Sequence, residues 1–513
     1  MLRRITAVIL FLAVAGVAVP GHSQETEIRL SLEEAVRRAL EHNLDLQIER
    51  LNPPIAHQGI DEGLGAFDPL FSTSTPLGRG ERPVNSALEQ LAENGLILQK
   101  TFTPANSFGG KLFTGTQYSL SLNSQLLITN NPQRLFDRSY QPVLTFSLTQ
   151  PLLRDFGIAV NLVKVRQAEN TEKKALFGVK AKMLSVILNV EATYWSLFYA
   201  EQHVKVAEDN LKLAEDLVER LTRSKDSGLA TALDVLQAKS QVEARRGDLA
   251  RARADLLKAQ SQIRVLVDPT IDVTMRIQAF DGPRDTGVPS NLREKIAQAL
   301  AQRPEIPQQE LVIENLAQQE LLAQNNTLWR LDLLGTVGFA GLGGKGVGPT
   351  IRMLPSRLEG RDTFAEAFGD YFTHKSMNWS VGIQLQIPIW NRTALAQLEE
   401  TRLQRRQQGL QLSLIKNQIT LDVETAFQDT TAGFAQLLAA REAVALAQEQ
   451  LSARERDLAA GLATVRQVLE AQNKLLNAQD GEIQTLVNYA GARSRLDAAQ
   501  AQSFDTYRLV VQP

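Results

Sequence analysis

Residues 228–238 read GLATALDVLQA, and residues 461–471 read GLATVRQVLEA. Seven of these eleven positions are identical at a constant offset of 233 residues. Each copy lies between two very long segments with a heptad pattern, so each is interpreted as the tip of a long helical hairpin. A chain with two such hairpins is internally duplicated, and a repeat of this length determines the architecture.

The duplication extends to the segments that precede the hairpins. Seven residues between Leu32 and Leu46 correspond to seven between Leu292 and Ile306 at an offset of 260. The two offsets differ by 27 residues (260 − 233), so the first copy contains about that much extra chain. Segment Pro76–Gly110 is rich in Gly, Pro, Ser and Asn, and we expect the insertion there because loops tolerate insertions.

The composition of the 513 residues excludes several classes of function. The net charge is only −2, so nothing indicates nucleic-acid binding. Without cysteine there is no disulfide framework, no thiolate metal site and no cysteine for lipidation. The five histidines are scattered, and no nucleotide-binding, serine-hydrolase or zinc-protease motif is present. We therefore expect no enzyme activity, no cofactor and no metal.

The N-terminus has the pattern of a cleaved export signal. Arg3 and Arg4 precede an apolar run, Ile5–Val19, and small residues precede a predicted cut before Gln24. A membrane anchor is the alternative, but the run is shorter than the about 20 residues that a span requires. No other stretch resembles a transmembrane helix, so a mature chain that enters a membrane would do so as β-strands.

Long helices are predicted by heptads on both sides of each tip. One stripe repeats every seven residues from Leu176 to Val218, and the second hairpin keeps this register. A companion stripe of the first hairpin consists of Ile187, Tyr194, Ala207, Ala214 and Leu221. Such heptads favour left-handed supercoiling. The proline-free helix before Gly228 would be on the order of 100 Å long. Proline ends the returning helix at Asp268-Pro269, and shorter helices are predicted at Leu32–Ile60 and Leu292–Ala323.

Strands are predicted between the short and the long helices, at Leu331–Ala340 and Asn378–Ile389 in the second copy. Five apolar residues of the latter project to one side: Trp379, Val381, Ile383, Leu385 and Ile387. In the first copy, Tyr118 and Leu120 alternate with Ser119 and Ser121. Such alternation is typical of a barrel wall with lipid outside and equally of a soluble, half-buried sheet. The export signal and the Gly-rich loop Gly341–Lys375 favour an outer-membrane barrel.

The order of these elements resembles the TolC family of outer-membrane efflux channels over essentially the whole mature chain. The resemblance rests on helix openings such as LEEA at 32–35, on TQPLLR at 149–154, on IPIW at 387–390, and on the two GLAT tips. It implies an α+β membrane protein with an internal two-fold duplication, a long α-helical coiled-coil tunnel, and a transmembrane β-barrel shared by a homotrimer.

A shared barrel agrees with the number of predicted strands. Four strands per chain cannot close a useful barrel, since about eight are needed, whereas three chains would provide twelve. The first copy has more strand-like sequence than a plain pair needs: Leu96–Phe102, Lys111–Leu127 and Leu144–Leu152. The extra pieces would either add to the wall or form a hairpin at the outer surface.

The predicted organisation has eight segments. They are the signal peptide 1–23, a first short-helix segment 24–66, first-copy strands and extracellular loop 67–152, the first long hairpin 153–270, a linker with the second short-helix segment 271–328, second-copy strands and loop 329–390, the second long hairpin 391–503, and a tail 504–513.

The candidate functional residues lie at the two tips. The resemblance implies that residues just after the second turn line the narrowest periplasmic aperture, which maps here to Gln467 and Glu470. Asp234 corresponds to Gln467 in the first copy, and Arg466 lies beside the ring and is able to pair with either acid. Three symmetry-related Glu470 carboxylates would attract cations. The adaptor-docking tips would be Gly228, Leu229, Ala230, Thr231, Gly461, Leu462, Ala463 and Thr464. Ordinary exposed polar residues and a simple compact turn are the alternatives.

The predicted function is that of a passive, trimeric export duct in the outer membrane with a periplasmic tunnel. Its partners would be two further copies of itself, outer-membrane lipid, a periplasmic adaptor protein and an inner-membrane transporter, and no nucleic acid. Without cysteine the chain would not be lipidated. A secreted or periplasmic coiled-coil scaffold or adaptor protein without channel activity is the alternative, although adaptors usually have one hairpin and this chain has two.

Overall fold

The structure, a computed structural model, describes residues 27–134, 136–227, 231–285, 287–346, 363–373 and 376–507. The predicted signal peptide 1–23 lies outside these residues, as do Gly228, Leu229 and Ala230 of the first turn. The chain forms two compact units. We call one the tip unit (Met1–Asn43, Ser185–Leu292 and Thr425–Ala498) and the other the sheet unit (Leu44–Leu184, Arg293–Glu424 and Ala499–Pro513).

Helices account for most of the described chain. Their bounds are α1 Leu32–His42, α2 Leu44–Glu49, α3 Asn52–Leu64, α4 Ile158–Asn161, α5 Val163–Asp226, α6 Ala232–Val267, α7 Leu292–Gln302, α8 Glu305–Asn326, α9 Phe364–Thr373, α10 Arg392–Ala459, α11 Val465–Ala499 and α12 Ser503–Thr506. The predicted long helices correspond to α5 and α10, and α6 ends one residue before Asp268-Pro269, as predicted.

The predicted short helices are interrupted, which corrects their expected continuity. Leu32–Ile60 is divided among α1, α2 and α3, because Asn43 leaves the helical conformation (ψ 120°) and two prolines open α3. Leu292–Ala323 is divided between α7 and α8, since Pro304 stands at the N-cap of α8. Proline cannot donate the backbone hydrogen bond that a continuous helix requires.

The core of the tip unit follows the heptads. All five residues of the companion stripe are buried, with Tyr194 fully inaccessible. Leu437, Leu451 and Leu475 of the second hairpin are also buried. A small parallel sheet of β1 (Glu27–Leu30) and β8 (Arg276–Ala279) joins this core. The hydroxyl of Tyr194 donates to the Leu30 carbonyl at 3.0 Å and accepts from the Asp281 amide at 2.9 Å, which ties the sheet to α5.

The sheet unit contains one nine-stranded antiparallel sheet. Its strands are β2 Leu70–Ser74, β3 Leu77–Pro83, β4 Leu96–Phe102, β5 Ala105–Lys111, β6 Gln117–Thr129, β7 Phe136–Pro151, β9 Arg330–Ala340, β10 Gly343–Gly346 and β11 Met377–Gln386. The central order is β11-β9-β7-β6, and β10 pairs with the start of β7. Beyond β6, both β4 and β5 pair with β6, β3 pairs with β4, and β2 pairs with β5.

Segment 76–110, predicted as a loop insertion from its composition, is largely strand. It contains β3, β4 and most of β5, all paired into the same sheet as the other strands. Gly and Pro are depleted in strands, so their abundance here favoured a loop, whereas pairing with neighbouring strands holds the segment in the sheet. Leu96–Phe102, one of the extra strand-like pieces predicted in the first copy, is β4, and the sheet contains more than the four strands used in the argument for a shared barrel.

Candidate functional site

The second turn is a tightly hydrogen-bonded helix ending. Gly461 has φ +74°, and its amide donates to the Leu458 carbonyl at 3.0 Å. The Leu462 amide donates to the Asp457 carbonyl at 2.8 Å. These two bonds form a Schellman motif, in which the positive φ favours glycine. The motif fixes the direction in which Leu462 leaves helix α10.

Leu462 is the most prominent apolar side chain of this turn, with 80 % of its surface exposed. Leu233 and Leu236, near the start of α6 at the other turn, are 61 % and 64 % exposed. Single exposed leucines are common on soluble proteins, but each of these three lies near a helix end, where another apolar helix is able to contact it.

A hydrogen-bonded cap begins the helix that follows each turn. Thr231 and Asp234 form a reciprocal capping box at the start of α6, with the Thr231 amide 2.9 Å from an Asp234 carboxylate oxygen. Hydrogen bonds from Thr231 lower the pKa of Asp234 below its ordinary value. At the start of α11 the Thr464 amide donates to the Gln467 side chain at 2.9 Å. Asp234 and Gln467 therefore both stabilise a helix start, a role that the sequence interpretation missed.

Arg466 pairs with Glu470 rather than with Asp234. The Arg466 Nε and the Glu470 Oε1 lie 3.0 Å apart on successive turns of α11. Both side chains are largely exposed, at 83 % and 58 %. Exposed pairs of this kind contribute about 0–1 kcal/mol, so the pair leaves Glu470 accessible to ions. The assignment of Glu470, Gln467, Arg466 and Asp234 to an aperture stays a prediction.

An apolar cluster holds the four helix ends together. Its buried members are Leu217, Leu221, Val235, Ala238, Leu451, Val465, Val468, Ala471 and Leu475. They come from α5, α6, α10 and α11. Because Val235 and Val468 occupy equivalent positions of the two repeated stretches, the repeat supplies packing residues as well as turns. The position of each turn is thus coupled to the packing of all four helices.

A polar group deeper in the tip unit was not predicted. The Asp480 carboxylate accepts a hydrogen bond from the Tyr199 hydroxyl at 3.0 Å, and the same oxygen lies 2.7 Å from Nδ1 of His203. Burial, together with Asp480, raises the pKa of Tyr199 to about 12. The sequence signal was weak: Tyr199 and His203 share a helix face, but Asp480 is distant in the chain. His203, one of the five scattered histidines, therefore has a defined partner on another helix.

The polar group borders an open cleft of about 320 Å³ between α5, α6 and α11. Its charged lining consists of His203, Arg245, Asp248, Arg251, Asp255 and Asp480. Arg245 is engaged by Asp248 at 3.1 Å and by Asn473. Nearby on α5, Glu201 accepts from the Ala279 amide at 2.9 Å, and burial raises its pKa to about 7.

The sheet separates apolar from hydroxyl-bearing side chains. Leu120, Phe146, Val337 and Trp379 are directly opposed in one row across β6, β7, β9 and β11. All four are exposed, from 37 % for Val337 to 68 % for Trp379. The next row, on the other face, consists of Ser119, Ser147, Thr336 and Ser380. The predicted alternation of β11 is confirmed for Trp379 to Leu385, whereas Ile387 follows the end of the strand.

The described residues contain neither a group of potential metal ligands nor a membrane-spanning helix. Three or more His, Asp or Glu side chains are nowhere grouped as metal ligands within the described ranges. In the same part of the chain, every helix is too short or too polar to cross a membrane.

A sequence profile described as outer membrane efflux protein matches residues 107–267 and 296–502, more than two thirds of the chain. The chain belongs to this family. The resemblance inferred from the GLAT tips and the order of elements is thus confirmed. Residues 70–106, which contain β2, β3, β4 and the first residues of β5, precede the first matched segment.

Individual members of the family are distant from this chain. It is 24 % identical over 313 residues to the probable efflux pump outer membrane protein TtgC of Pseudomonas putida, covering 59 % of this chain and 58 % of the relative. It is 22 % identical over 310 residues to outer membrane protein TolC of Escherichia coli, covering 60 % and 59 %. The chain therefore matches just under three fifths of the length of these relatives.

The fold is that of a solved outer-membrane channel. The structure of the outer-membrane channel OprN matches with a TM-score of 0.62 at 17 % identity, covering 91 % of this chain and 89 % of that one. At this identity the likeness concerns the fold, and it extends over helices and sheet alike.

Proposed function

We propose that this protein is a passive efflux duct of the outer membrane. Three copies join their sheets into one transmembrane barrel and their helices into one periplasmic tunnel. Residues 1–23 are a signal peptide, and the eight segments predicted from the sequence describe the organisation, including its two-fold duplication. The duct itself has no enzymatic activity and uses no cofactor.

The row of exposed apolar side chains on the sheet carries this proposal. Leu120, Phe146, Val337 and Trp379 expose large apolar surfaces, while the opposite face carries Ser and Thr. In water such a row is costly, at roughly 25 cal/mol per Å² of apolar surface. In a bilayer the same row faces acyl chains and the hydroxyl face lines an aqueous lumen. Membership of an outer membrane efflux family supports the same arrangement.

An unpartnered face of α10 supports assembly with further copies. Four leucines of this helix in the sheet unit are more than half exposed: Leu403, Leu410, Leu414 and Leu421. Their spacings of seven, four and seven residues place them on one stripe of the helix, the pattern of a coiled-coil seam. A second copy would cover this stripe in the tunnel wall.

The tips are the proposed contact with an export partner. Leu462 and its counterpart Leu229 would face the hairpin of a periplasmic adaptor, which connects the duct to an inner-membrane transporter. Gly461 and Ala463 lack bulky side chains and allow another helix to approach closely. The relative TtgC, a probable efflux pump outer membrane protein, supports this partnership.

Assembly and conductance test the proposal together. In mild detergent, light scattering should give about three times the mass of the mature chain, and outer-membrane fractions reconstituted in planar bilayers should show discrete channels. Leu410→Glu combined with Leu414→Glu should dissociate the trimer. Gln404→Glu combined with Gln411→Glu, which adds the same two charges at exposed positions about a quarter turn away from the stripe, should not. A helical monomer without conductance would contradict the duct and favour the scaffold alternative.

A further inference from the structure

Each of the two strands of the first-copy insertion contains a proline but keeps the same pairing register on both sides of it. Ser74 opposes Ala105 and Leu77 opposes Phe102, so the pairing keeps one register across Pro76. The Thr103 amide donates to the Pro76 carbonyl at 3.0 Å, which preserves the ladder at the interruption. Residues 70–83 and 96–111 therefore form one long antiparallel hairpin, which we call the extra hairpin.

The extra hairpin is in register with the rest of the sheet. Phe102 opposes Leu126 and Ala105 opposes Asn123, so strand 96–111 pairs with β6 without a shift across Pro104. The Ser124 amide donates to the Pro104 carbonyl at 2.9 Å. The sheet consequently has six long antiparallel strands: 70–83, 96–111, β6, β7, β9 and β11.

The apolar row described above continues onto the extra hairpin. Phe108 opposes Leu120, and Phe71 opposes Phe108. The complete row across six strands is Phe71, Phe108, Leu120, Phe146, Val337 and Trp379. Phe71 is 63 % exposed and Phe108 is 45 %, similar to the members in the other strands. On the opposite face Ser72 and Ser107 are hydrogen-bonded to each other at 2.6 Å. Around this row the insertion thus repeats the two-faced pattern of the other four strands. Arg79 and Lys100 lie on the apolar face nearer the turn of the hairpin, where strands of this length extend beyond a bilayer.

Both outer edges of the six-stranded sheet are able to pair. Pro76 and Thr103 form a hydrogen-bonded pair, so Pro76, which has no amide hydrogen, faces strand 96–111 and not the free edge. The odd-numbered residues 71–81 therefore direct their backbone N–H and C=O groups toward the free edge. At the other edge the Ala340 amide donates to Ser376, so the odd-numbered residues of β11 face outward. Proline is absent from both sets. With six alternating strands the two edges also run antiparallel to each other.

We propose that the extra hairpin is part of the membrane-spanning wall and that strand 70–83 pairs with β11 of a second copy. Each chain then contributes six strands, and three copies form an eighteen-stranded barrel instead of the twelve-stranded one predicted from the sequence. Both hairpin strands exceed the about 9–11 residues that a transmembrane strand requires. Because barrel diameter grows roughly linearly with strand number, the lumen is wider. This inference rests on the proposed function.

Single cysteines test where the extra hairpin lies, since the natural chain has none. Phe71→Cys and Phe108→Cys, labelled with an environment-sensitive fluorophore in the full-length protein, are reconstituted in vesicles with brominated acyl chains. Phe146→Cys is the matched control on the same row, and Ser72→Cys and Thr145→Cys report the opposite face. We expect quenching by bromolipid at Phe71 and Phe108 equal to that at Phe146, and quenching by aqueous iodide at Ser72 and Thr145.

The outcomes separate the two proposals. If Phe146→Cys is quenched by bromolipid but Phe71→Cys and Phe108→Cys are quenched by iodide alone, the hairpin is an outer-surface flap, and the six-strand wall is overturned while the duct remains. If Phe146→Cys is also insensitive to bromolipid, the sheet is outside the membrane and the proposed function fails.

Intermolecular disulfides test the edge. Val381→Cys is combined in turn with cysteines at Phe71, Thr73, Thr75, Leu77, Arg79 and Glu81. One of these registers should yield a covalent trimer on a non-reducing gel. Cross-linking of Val381→Cys to cysteines at Leu120 or Leu122 of β6 would show that the copies close without the extra hairpin and would overturn the inference.

Discussion

Replacement of Gly461 by alanine should loosen the second turn by a predictable amount. The residue has φ +74°, and a Cβ built there meets no other atom within 4 Å. The cost is therefore backbone strain alone, about 1–2 kcal/mol for a side chain in the left-handed region. A destabilisation of that size raises the population of the open turn by about 5–30-fold.

Hydrogen exchange of the assembled protein measures this change directly. The amides of Leu462 and Ala463 are held by the Asp457 carbonyl at 2.8 and 3.3 Å, so their exchange should accelerate by about 5–30-fold. Gly481→Ala is the matched control, because Gly481 is helical and its Cβ would also meet nothing. It should slow local exchange, since alanine stabilises a helix interior by roughly 1 kcal/mol relative to glycine. Unchanged exchange in Gly461→Ala would refute the assigned role of the turn.

Three further predictions concern charge, docking and pH. Glu470→Ala should reduce cation preference in planar bilayers, and Arg466→Ala should increase it because Arg466 is paired with Glu470 at 3.0 Å. Asp234→Ala should have a smaller effect. Unchanged reversal potentials for both α11 variants would show that Glu470 does not line the aperture. Leu229→Glu with Leu462→Glu should leave the trimer and its conductance intact but abolish both co-purification with the adaptor and substrate export. Normal export by this variant would show that the tips serve only as turns. The pKa of Glu201 is raised from 4.5 to about 7 by burial, so its contribution to stability is lost as the pH rises from about 4.5 through 7; Glu201→Gln should make the melting temperature less dependent on pH between 5 and 8, and an unaltered dependence would contradict this assignment.

The sequence predicted the elements that depend on local pattern. Heptads identified α5 and α10, and the companion stripe from Ile187 to Leu221 is buried as such a pattern requires. The breaks at Asn43 and Pro304 were not predicted, although both residues disfavour a continuous helix and were a local signal for them. The pattern Thr-x-x-Asp at Thr231, and Thr-x-x-Gln at Thr464, indicated helix caps that the functional interpretation of Asp234 and Gln467 had passed over.

Features that depend on distant partners were not predictable in this way. A strand's register is set by its neighbours, so the pairing of Phe71 with Phe108 has no signature within either segment. The alternating signal of a barrel strand is weak, and Gly and Ser in 70–111 made it weaker. The contact of His203 with Asp480 joins residues on different helices, and the sequence around either residue does not indicate the other as its partner.

Strand β11 is an unprotected sheet edge in the single chain. Every residue of Met377–Gln386 is exposed, and the segment contains neither proline nor charge. Proline and charge are the usual protections of an open edge, and an unprotected strand rich in β-formers is a template for aggregation. Arg79 and Glu81 protect the opposite edge of the sheet. In the proposed duct, a copy that has not yet assembled would therefore need β11 to be shielded, by a holding chaperone or by rapid encounter with another copy, and overproduction beyond that capacity would yield insoluble protein nucleated at this strand.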